Sequence, residues 1–583
     1  MLALKQEPLP LFGPTLRISQ QLHEDKYRQK GETFYEAMHR VATALCDSVP
    51  HKQELETILL EQRFLPAGRI QTGAGADKNV TLFNCFVSGT IEDTFTEQDG
   101  IMQRATEAAE TMRRGGGVGY NFGSIRPAGT PIKTLGSVAS GPISFMHIFD
   151  AVCKTVSSAG HRRGAQMGIL PVSHPDIFEF VKAKQNDHSL TAFNISVGIT
   201  DDFMFALKHG TPYNLEWEGQ VVKTIDPKEL WEEIMKSTWD YAEPGVIFLD
   251  RINKMNNLWY CEDIQATNPC SEQPLPPFGA CLLGSFNLVK YIKVDQDTHS
   301  HCFDWAKFKR DIPCVVRAMD NVVDISMYPL PEQETEAKHK RRLGLGITGF
   351  ANASEILGRP YGSEECKQFL HSVLKMLRDE CYRASVNLAK EKGPFPLFDA
   401  DYYLDGDFIN SLPEGLREEI RQHGIRNSHL ISIAPTGTIS ICADNVSSGI
   451  EPVFSYGYER KINTPNGQIT EFFSDYAYRE YGIKGKTAEQ LTAQEHLDIL
   501  LISQEYVDSA VSKTCNVSPN MPWEDFKELY LKAWEGGAKG LSTFNVGGKR
   551  MGILTTSTVE EKKEEGEALA CYFDPATGTK SCG

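Results

Sequence analysis

The apolar positions early in the chain recur at helical spacing. Phe34, Met38, Val41, Ala42 and Leu45 fall on one face, as do Leu55, Ile58 and Leu59. From about Leu65 the period changes to short apolar runs separated by glycine turns. The segment from Ala192 to Ile199 alternates as a strand does, while Gly245 to Leu249 and His429 to Ala434 are compact runs of the kind buried in parallel sheets. Amphipathic helices lie between them. The clearest runs from about Glu364 to Glu391, with Phe369, Leu370, Val373, Leu374 and Leu377 on one face and Gly393-Pro394 ending it. Strands alternating with helices over most of the chain predict an α/β architecture with a parallel or mixed sheet. No internal repeat or long Pro/Ser-rich linker divides it. The expected organisation is a helical region at 1–62, one large α/β domain at 63–554, and a polar tail at 555–583.

Composition narrows the function. Of 583 residues, 41% are hydrophobic and 23% charged, as in globular proteins, and the formal charge is −17. That charge argues against non-specific binding to nucleic acid or anionic membrane, but a nucleotide needs only local donors. No apolar run approaches a membrane span and the N-terminus lacks a signal-peptide core, so a cytoplasmic protein is expected. The 14 cysteines are scattered, with no C-x-x-C pair, which disfavours a zinc ribbon or a secreted disulfide framework. Most are expected to be small core residues.

A few cysteines sit in chemically loaded company. Cys270 lies in Asn268-Pro269-Cys270-Ser271-Glu272, with Cys281 eleven residues on. A carboxylate two residues from a thiol can take a proton, and an amide can hold a hydroxyl. Taken alone, Cys85 in Asn84-Cys85-Phe86-Val87 reads as a core thiol, and so does Cys281. Cys571 and Cys582 end a charged tail, where an exposed thiol pair suggests redox traffic. Gly344-Leu345-Gly346-Ile347-Thr348-Gly349 matches a dinucleotide fingerprint. A charged segment precedes it where a buried strand is required, so it reads as a glycine-rich strand with close backbone packing. Ala434-Pro435-Thr436-Gly437-Thr438-Ile439-Ser440 reads equally as an anion site and as an ordinary helix cap. The turn from Arg113 to Tyr120 lets backbone approach a partner closely, and Ser158 to Gln166 is a basic, glycine-hinged loop.

Together these motifs resemble the large subunit of ribonucleotide reductases, most of all the adenosylcobalamin-dependent class II enzymes. The likeness extends from Asn84-Cys85-Phe86 through Gly115 to Tyr120, Gly160 to Gly164, Asn268 to Asn287 and Arg341 to Gly349. It continues through Ala434 to Ser440 and Ser448-Gly449-Ile450-Glu451-Pro452. It implies a ten-stranded α/β barrel with a central finger loop carrying Cys270. Cys270 would be the thiyl radical, Glu272 the acceptor of the 3′-hydroxyl proton, and Asn268 a holder of sugar hydroxyls. Cys85 would protonate the leaving 2′-hydroxyl and end in a disulfide with Cys281. Cys571 and Cys582 would reduce that disulfide and be reset by a thioredoxin-like donor. Their ten-residue separation departs from the close pair usual in the family.

Substrate contacts would come from Asn84, Gly117, Pro435, Thr436, Gly437, Thr438 and Ser440. A deoxynucleotide effector at a homodimer interface would meet Asp93, Arg126, Lys133, Arg162 and Arg163. Strand texture begins by residue 65, so no ATP-cone domain, and no on/off control by ATP and dATP, is expected. The implied activity is reduction of ribonucleotides, with diphosphates favoured, by a radical drawn from adenosylcobalamin. A class I type subunit fed by a separate metal-bearing protein is the alternative, but Gly540 to Val546 lacks the tyrosine pair it needs. The adjacent pair Tyr402-Tyr403 reads as part of an exposed loop. Gly547-Gly548-Lys549-Arg550 lacks the glycyl-radical pattern of class III. An inactive nucleotide-binding homologue is the remaining alternative, and all three active-site thiols with Asn268 and Glu272 speak against it.

Overall fold

The computed structural model describes residues 12–132, 136–156, 165–185, 189–464, 467–545, 547–549, 572–574 and 579–581. Three helices come first: α1 (Arg17–Tyr27), α2 (Phe34–Leu45) and α3 (Val49–Leu60). The predicted apolar face of α2 is buried, and a Thr33/Glu36 capping box satisfies its first amides. Strand β1 (Phe64–Pro66) follows, where the sequence period changes.

The wall around the centre is built from β2 (Cys85–Val87), β3 (Gly117–Asn121), β4 (Gln166–Pro171), β5 (Phe193–Ile199) and β6 (Gly245–Phe248). These five pair in parallel, in chain order. Next come β7 (Ala280–Cys281), β8 (Leu283–Asn287), β9 (Gly344–Thr348), β10 (Thr514–Val517) and β11 (Gly540–Asn545). β7 pairs antiparallel with β2, and β11 pairs antiparallel with β6 and parallel with β10. β8 pairs antiparallel with β1 and parallel with β9. The architecture is therefore mixed α/β with a largely parallel sheet, as expected.

The apolar run from His429 to Ala434 does not form a full ladder. It instead makes single parallel bridges on both sides, Leu345 with Ile431 and Ile433 with Val511. Its polar members explain this, because Ser432 turns its hydroxyl to a loop and Leu430 and Ile431 give their amides to a side chain. The G-x-G-x-x-G segment is β9, a strand, and the reading of close backbone packing holds: a methyl group on Gly346 would lie 2.3 Å from the Ser432 carbonyl oxygen.

The strands are buried on both faces, which explains their near-continuous apolar sequences. Val118, Tyr120, Leu170, Ile195, Val197 and Val246 pack outward with the helices. Cys85, Val87, Met167, Ile169 and Ile247 form a smaller inner cluster with Ala266, Leu275 and Leu283. The 29-residue helix Glu364–Lys392 starts on a Ser363 cap and stops at Gly393, whose φ of +81° favours glycine. Tyr402-Tyr403 departs from expectation. It lies in the short helix Ala400–Asp405, and Tyr403 is fully buried beside Phe395 and Phe398 while Tyr402 stays exposed. The Asp399 side chain accepts amides at that helix start, so the acidic residues there mark a cap.

Candidate active site

A loop enters the inner cluster on a two-pair ladder, Ala266 opposite Leu275 and Thr267 opposite Pro274. Its tip, Asn268 to Gln273, is closed by its own first and last residues. The Asn268 N–H donates to the Gln273 carbonyl at 3.1 Å, and the Gln273 N–H donates to Asn268 Oδ1 at 3.0 Å. That leaves Asn268 Nδ2 buried and without a hydrogen-bond partner, a donor held ready. Ser271 at the turn has a φ of +65°, and its N–H returns to the Asn268 carbonyl at 3.0 Å. Cys270 is half-buried at the tip, whereas Asn268 and Glu272 are buried.

The wall makes room for this loop. The inward positions of β3 are Gly117 and Gly119, and a methyl group on Gly119 would lie 1.9 Å from the Thr267 carbonyl oxygen. On Gly117 it would lie 3.3 Å from Cys85 Sγ and 3.2 Å from Pro269 Cγ. Gly117 thus brings the Cys85 thiol and the residue before Cys270 to one point. Across the β2/β7 pairing, Cys281 stands directly opposite Cys85 in the backbone register. Asn84, just before β2, has a buried Oδ1 without a hydrogen-bond partner. The three central cysteines, Asn84, Asn268, Glu272 and Gly117 are therefore gathered in one region by the fold.

Residues that the sequence reading missed grip the loop. Asn194, facing inward on β5, donates from Nδ2 to the Pro269 carbonyl at 2.9 Å. The Glu272 carbonyl accepts the Ala510 N–H at 3.0 Å and Ser432 Oγ–H at 2.9 Å. The available signal was alternation: Asn194-Ile195-Ser196-Val197-Gly198 places small or polar residues at every inward position. Beneath lies buried Lys539, whose pKa burial lowers to about 8 against the attraction of Asp508; burial in turn raises the Asp508 carboxyl.

The segment Pro435 to Ser440 lies beside this centre, since the adjacent Ala434 belongs to the inner cluster. Thr436 takes a left-handed φ of +54° before the short helix Gly437–Cys442. Its hydroxyl is engaged within the fold, 2.9 Å from Thr348 Oγ1 and accepting the Gly449 N–H at 2.7 Å. Ser440 Oγ likewise lies 3.0 Å from Ser448 Oγ. The first amides of the helix have no intrahelical acceptors.

Farther out, Asp93 and Arg126 form an ion pair, and both are partly buried. Lys133, Arg162, Arg163, Cys571 and Cys582 lie outside the described residues, as does the rest of the 157–164 loop. Among the described residues no helix is long and apolar enough to cross a membrane.

Residues 83–544 match the family described as ribonucleotide reductase, barrel domain. Over 94% of its length the chain is 33% identical to the vitamin B12-dependent ribonucleoside-diphosphate reductase of Mycobacterium tuberculosis, covering 81% of that protein. It is equally identical, at 33% over 94% of its length, to the protein of the same name from Thermoplasma acidophilum, covering 74% of it. With the vitamin B12-dependent ribonucleotide reductase of Streptomyces coelicolor it shares 25% identity over 89% of this chain and 61% of that protein.

Proposed function

Because the chain belongs to the ribonucleotide reductase family, we propose that it converts ribonucleoside diphosphates to 2′-deoxyribonucleotides with adenosylcobalamin as radical source. The observation that carries this reading is the meeting of the Cys270 loop with Cys85 at Gly117, with Cys281 opposite Cys85. Two thiols at one strand junction can supply two electrons, and a third on a separate loop can act on the other side of a sugar.

The proposed roles are those the family resemblance implies, and the geometry supports them. Cys270, as a thiyl radical, takes the 3′ hydrogen atom of the ribose. Glu272 accepts the 3′-hydroxyl proton, and Asn268 donates from Nδ2 to a sugar oxygen. Cys85 protonates the departing 2′-hydroxyl, which leaves as water. The electron pair comes from Cys85 and Cys281, whose sulfurs join in a disulfide; the second thiol hydrogen of this pair ends on C2′ in place of the hydroxyl, Glu272 returns the proton to the 3′ oxygen, and Cys270 returns its hydrogen atom to C3′. Asn84 and the amides of Gly437 and Thr438 anchor the phosphates, while Thr436 and Ser440 hold that loop in shape. Cys571, Cys582 and a thioredoxin-like donor then restore the thiols.

When bound, adenosylcobalamin supplies the radical by homolysis of its cobalt–carbon bond. The fit lies in access and in the donor set. Cys270 and Ser271 are half-buried in a tip whose other residues are buried, so the turn that carries the thiol is partly open. Among the described residues no three His, Cys, Asp or Glu side chains gather as metal ligands, so cobalt acting here would bring its ligands in the corrin ring.

The finer architecture belongs to the same proposal. Backbone bonds join β9 to 430–432 and residues 431–433 to 509–512, which run on into β10. With the β2/β7 and β6/β11 pairings they support a ring of ten strands around a finger loop, within a catalytic domain at 63–554. Asp93 and Arg126, with Lys133, Arg162 and Arg163, are the proposed anchors of a deoxynucleotide effector in a homodimer.

The test is deoxynucleotide formation by purified protein with adenosylcobalamin and dithiothreitol, assayed with each nucleoside di- and triphosphate. Turnover without a second protein is expected, and Cys270→Ser should abolish it while nucleotide binding persists. Turnover that appears only with a partner protein would favour the class I alternative, and binding without turnover under any condition the inactive homologue.

A further inference from the structure

The loop that carries Cys270 and Glu272 rests on a buried polar platform that the chemistry above leaves unused. Asp508 is 1% exposed. Its Oδ2 accepts the Leu430 N–H and the Tyr382 hydroxyl, each at 2.7 Å, and its Oδ1 accepts the Ile431 N–H at 3.0 Å. Lys539, also buried, donates from Nζ to the carbonyl oxygens of Asp508 and Ser509, both at 2.6 Å. Asn257 Nδ2 closes the cluster by donating to Tyr382 Oη at 2.8 Å and to the Ser428 carbonyl at 2.8 Å. Opposite charges so far from water persist only when each is paired and hydrogen-bonded. The arrangement is specific and costly, and it touches no substrate position.

Its place in the chain gives it a use. The Glu272 carbonyl is held by two donors, Ser432 Oγ–H and the Ala510 N–H. These donors sit on the two segments that Asp508 joins. Asp508 bonds to 430–431 through its side chain and precedes Ala510 by two residues in its own backbone. Between the segments the backbone adds Ser509 N–H to the Ile431 carbonyl at 3.2 Å and Ile433 N–H to the Ala510 carbonyl at 3.2 Å. Those bonds alone would be satisfied equally well after a slide of two residues. A carboxylate that accepts two successive amides and a phenol fits one register only.

We propose that Asp508 is a positioning residue for Glu272, locking 430–433 to 508–512 in the register that brings the Ser432 hydroxyl and the Ala510 amide onto the Glu272 carbonyl. Ser432 is the point where the platform touches the loop. The inference rests on the reading of Glu272 as the base for the substrate hydroxyl. Lys539 neutralises the platform so that the Asp508 carboxylate can stay buried.

Two variants test it in the adenosylcobalamin assay. Ser432→Ala removes one donor from Glu272 and leaves the fold's apolar packing intact. Asp508→Asn combined with Lys539→Met removes both buried charges together. In each, kcat is expected to fall by about tenfold or more, as misplacement of a reacting group does, while KM for the nucleotide stays within about twofold. The melting temperature of Ser432→Ala should match that of the parent, and this variant decides the matter if the double variant does not fold. Parental kcat in Ser432→Ala, or a lowered melting temperature with unchanged turnover per folded enzyme, would overturn the proposal. Glu272→Gln serves as the control. If it retains turnover, the base reading itself fails. If it is inactive while Ser432→Ala turns over normally, the base reading stands and the positioning role falls.

Discussion

The two loops at the centre of this protein are fixed in opposite ways. In the loop Asn268 to Gln273 the fixing bonds fall largely on backbone carbonyls: those of Pro269, Glu272 and Gln273 are held by Asn194, Ser432, Ala510 and Asn268. In the segment Pro435 to Ser440 the side-chain hydroxyls do the fixing, Thr436 on Thr348 and Gly449, Ser440 on Ser448. The first arrangement spends backbone groups on fixing the loop. The second spends the hydroxyls of Thr436 and Ser440 on fixing the segment. Under the roles proposed above, the loop that would react is fixed through its backbone and the loop that would bind through its hydroxyls.

The contrast can be broken most severely at Gly119. A methyl group there would collide with the Thr267 carbonyl, which is backbone and cannot step aside. Gly119→Ala is expected to destabilise the fold by about 3 kcal/mol and to abolish turnover, read by thermal melting and the reductase assay. A smaller break comes at Thr436. Replacement by valine keeps the shape but removes the hydroxyl contact to Thr348 and leaves the Gly449 amide only its longer bond to Thr348 Oγ1 at 3.2 Å, a cost of about 1 kcal/mol. Under the binding role proposed for that loop, Thr436→Val should raise KM for the nucleotide about tenfold with little change in kcat. Asn194→Ala should act in the reverse sense, since it removes one bond worth about 1 kcal/mol from the reacting loop. The expected result is a lowered kcat at unchanged KM; if KM rose instead, the division between the two loops would fail.

The mildest test touches neither loop. Burial raises the pKa of Glu355 from 4.5 to about 7 despite the amides it accepts from Lys486 and Tyr361. The fold therefore favours the protonated carboxyl, and this contribution to stability, full below about pH 4.5, is lost as pH rises through about 7. Glu355→Gln, neutral throughout, should melt higher than the parent at pH 8, by roughly 2 kcal/mol at most, and no higher at pH 4. Turnover at pH 7 should not change.

Much of this was legible in the chain itself. The helices, the strands β2, β5 and β6 and the reading of β9 as a strand followed from period and punctuation, whereas β3 was expected as a glycine turn and is a strand whose glycines admit the Cys270 loop. The gathering of Cys85, Cys281 and Cys270 was not legible from spacing, since it depends on an antiparallel junction between distant strands. Asn194, Ser432 and Asp508 escaped for a related reason. A single polar residue beside an apolar run reads as a cap or a satisfied core group until its partner from another segment is known. Tyr403 shows the converse error, where neighbouring acids suggested solvent although they cap a helix whose far side is buried.

The β2/β7 and β6/β11 junctions have a mechanical consequence. Each is a ladder of only two residue pairs, whereas β4 and β5 share six. A wall with two short seams is expected to open first along them. Opening of this kind separates Cys85 from Cys281 without disturbing the long ladders. Amides along the seams should accordingly exchange with deuterium before those of β4 and β5. A sulfur–sulfur bond formed across the first seam would rivet it, so that each turnover would leave the molecule stiffer than it began until the rivet is drawn.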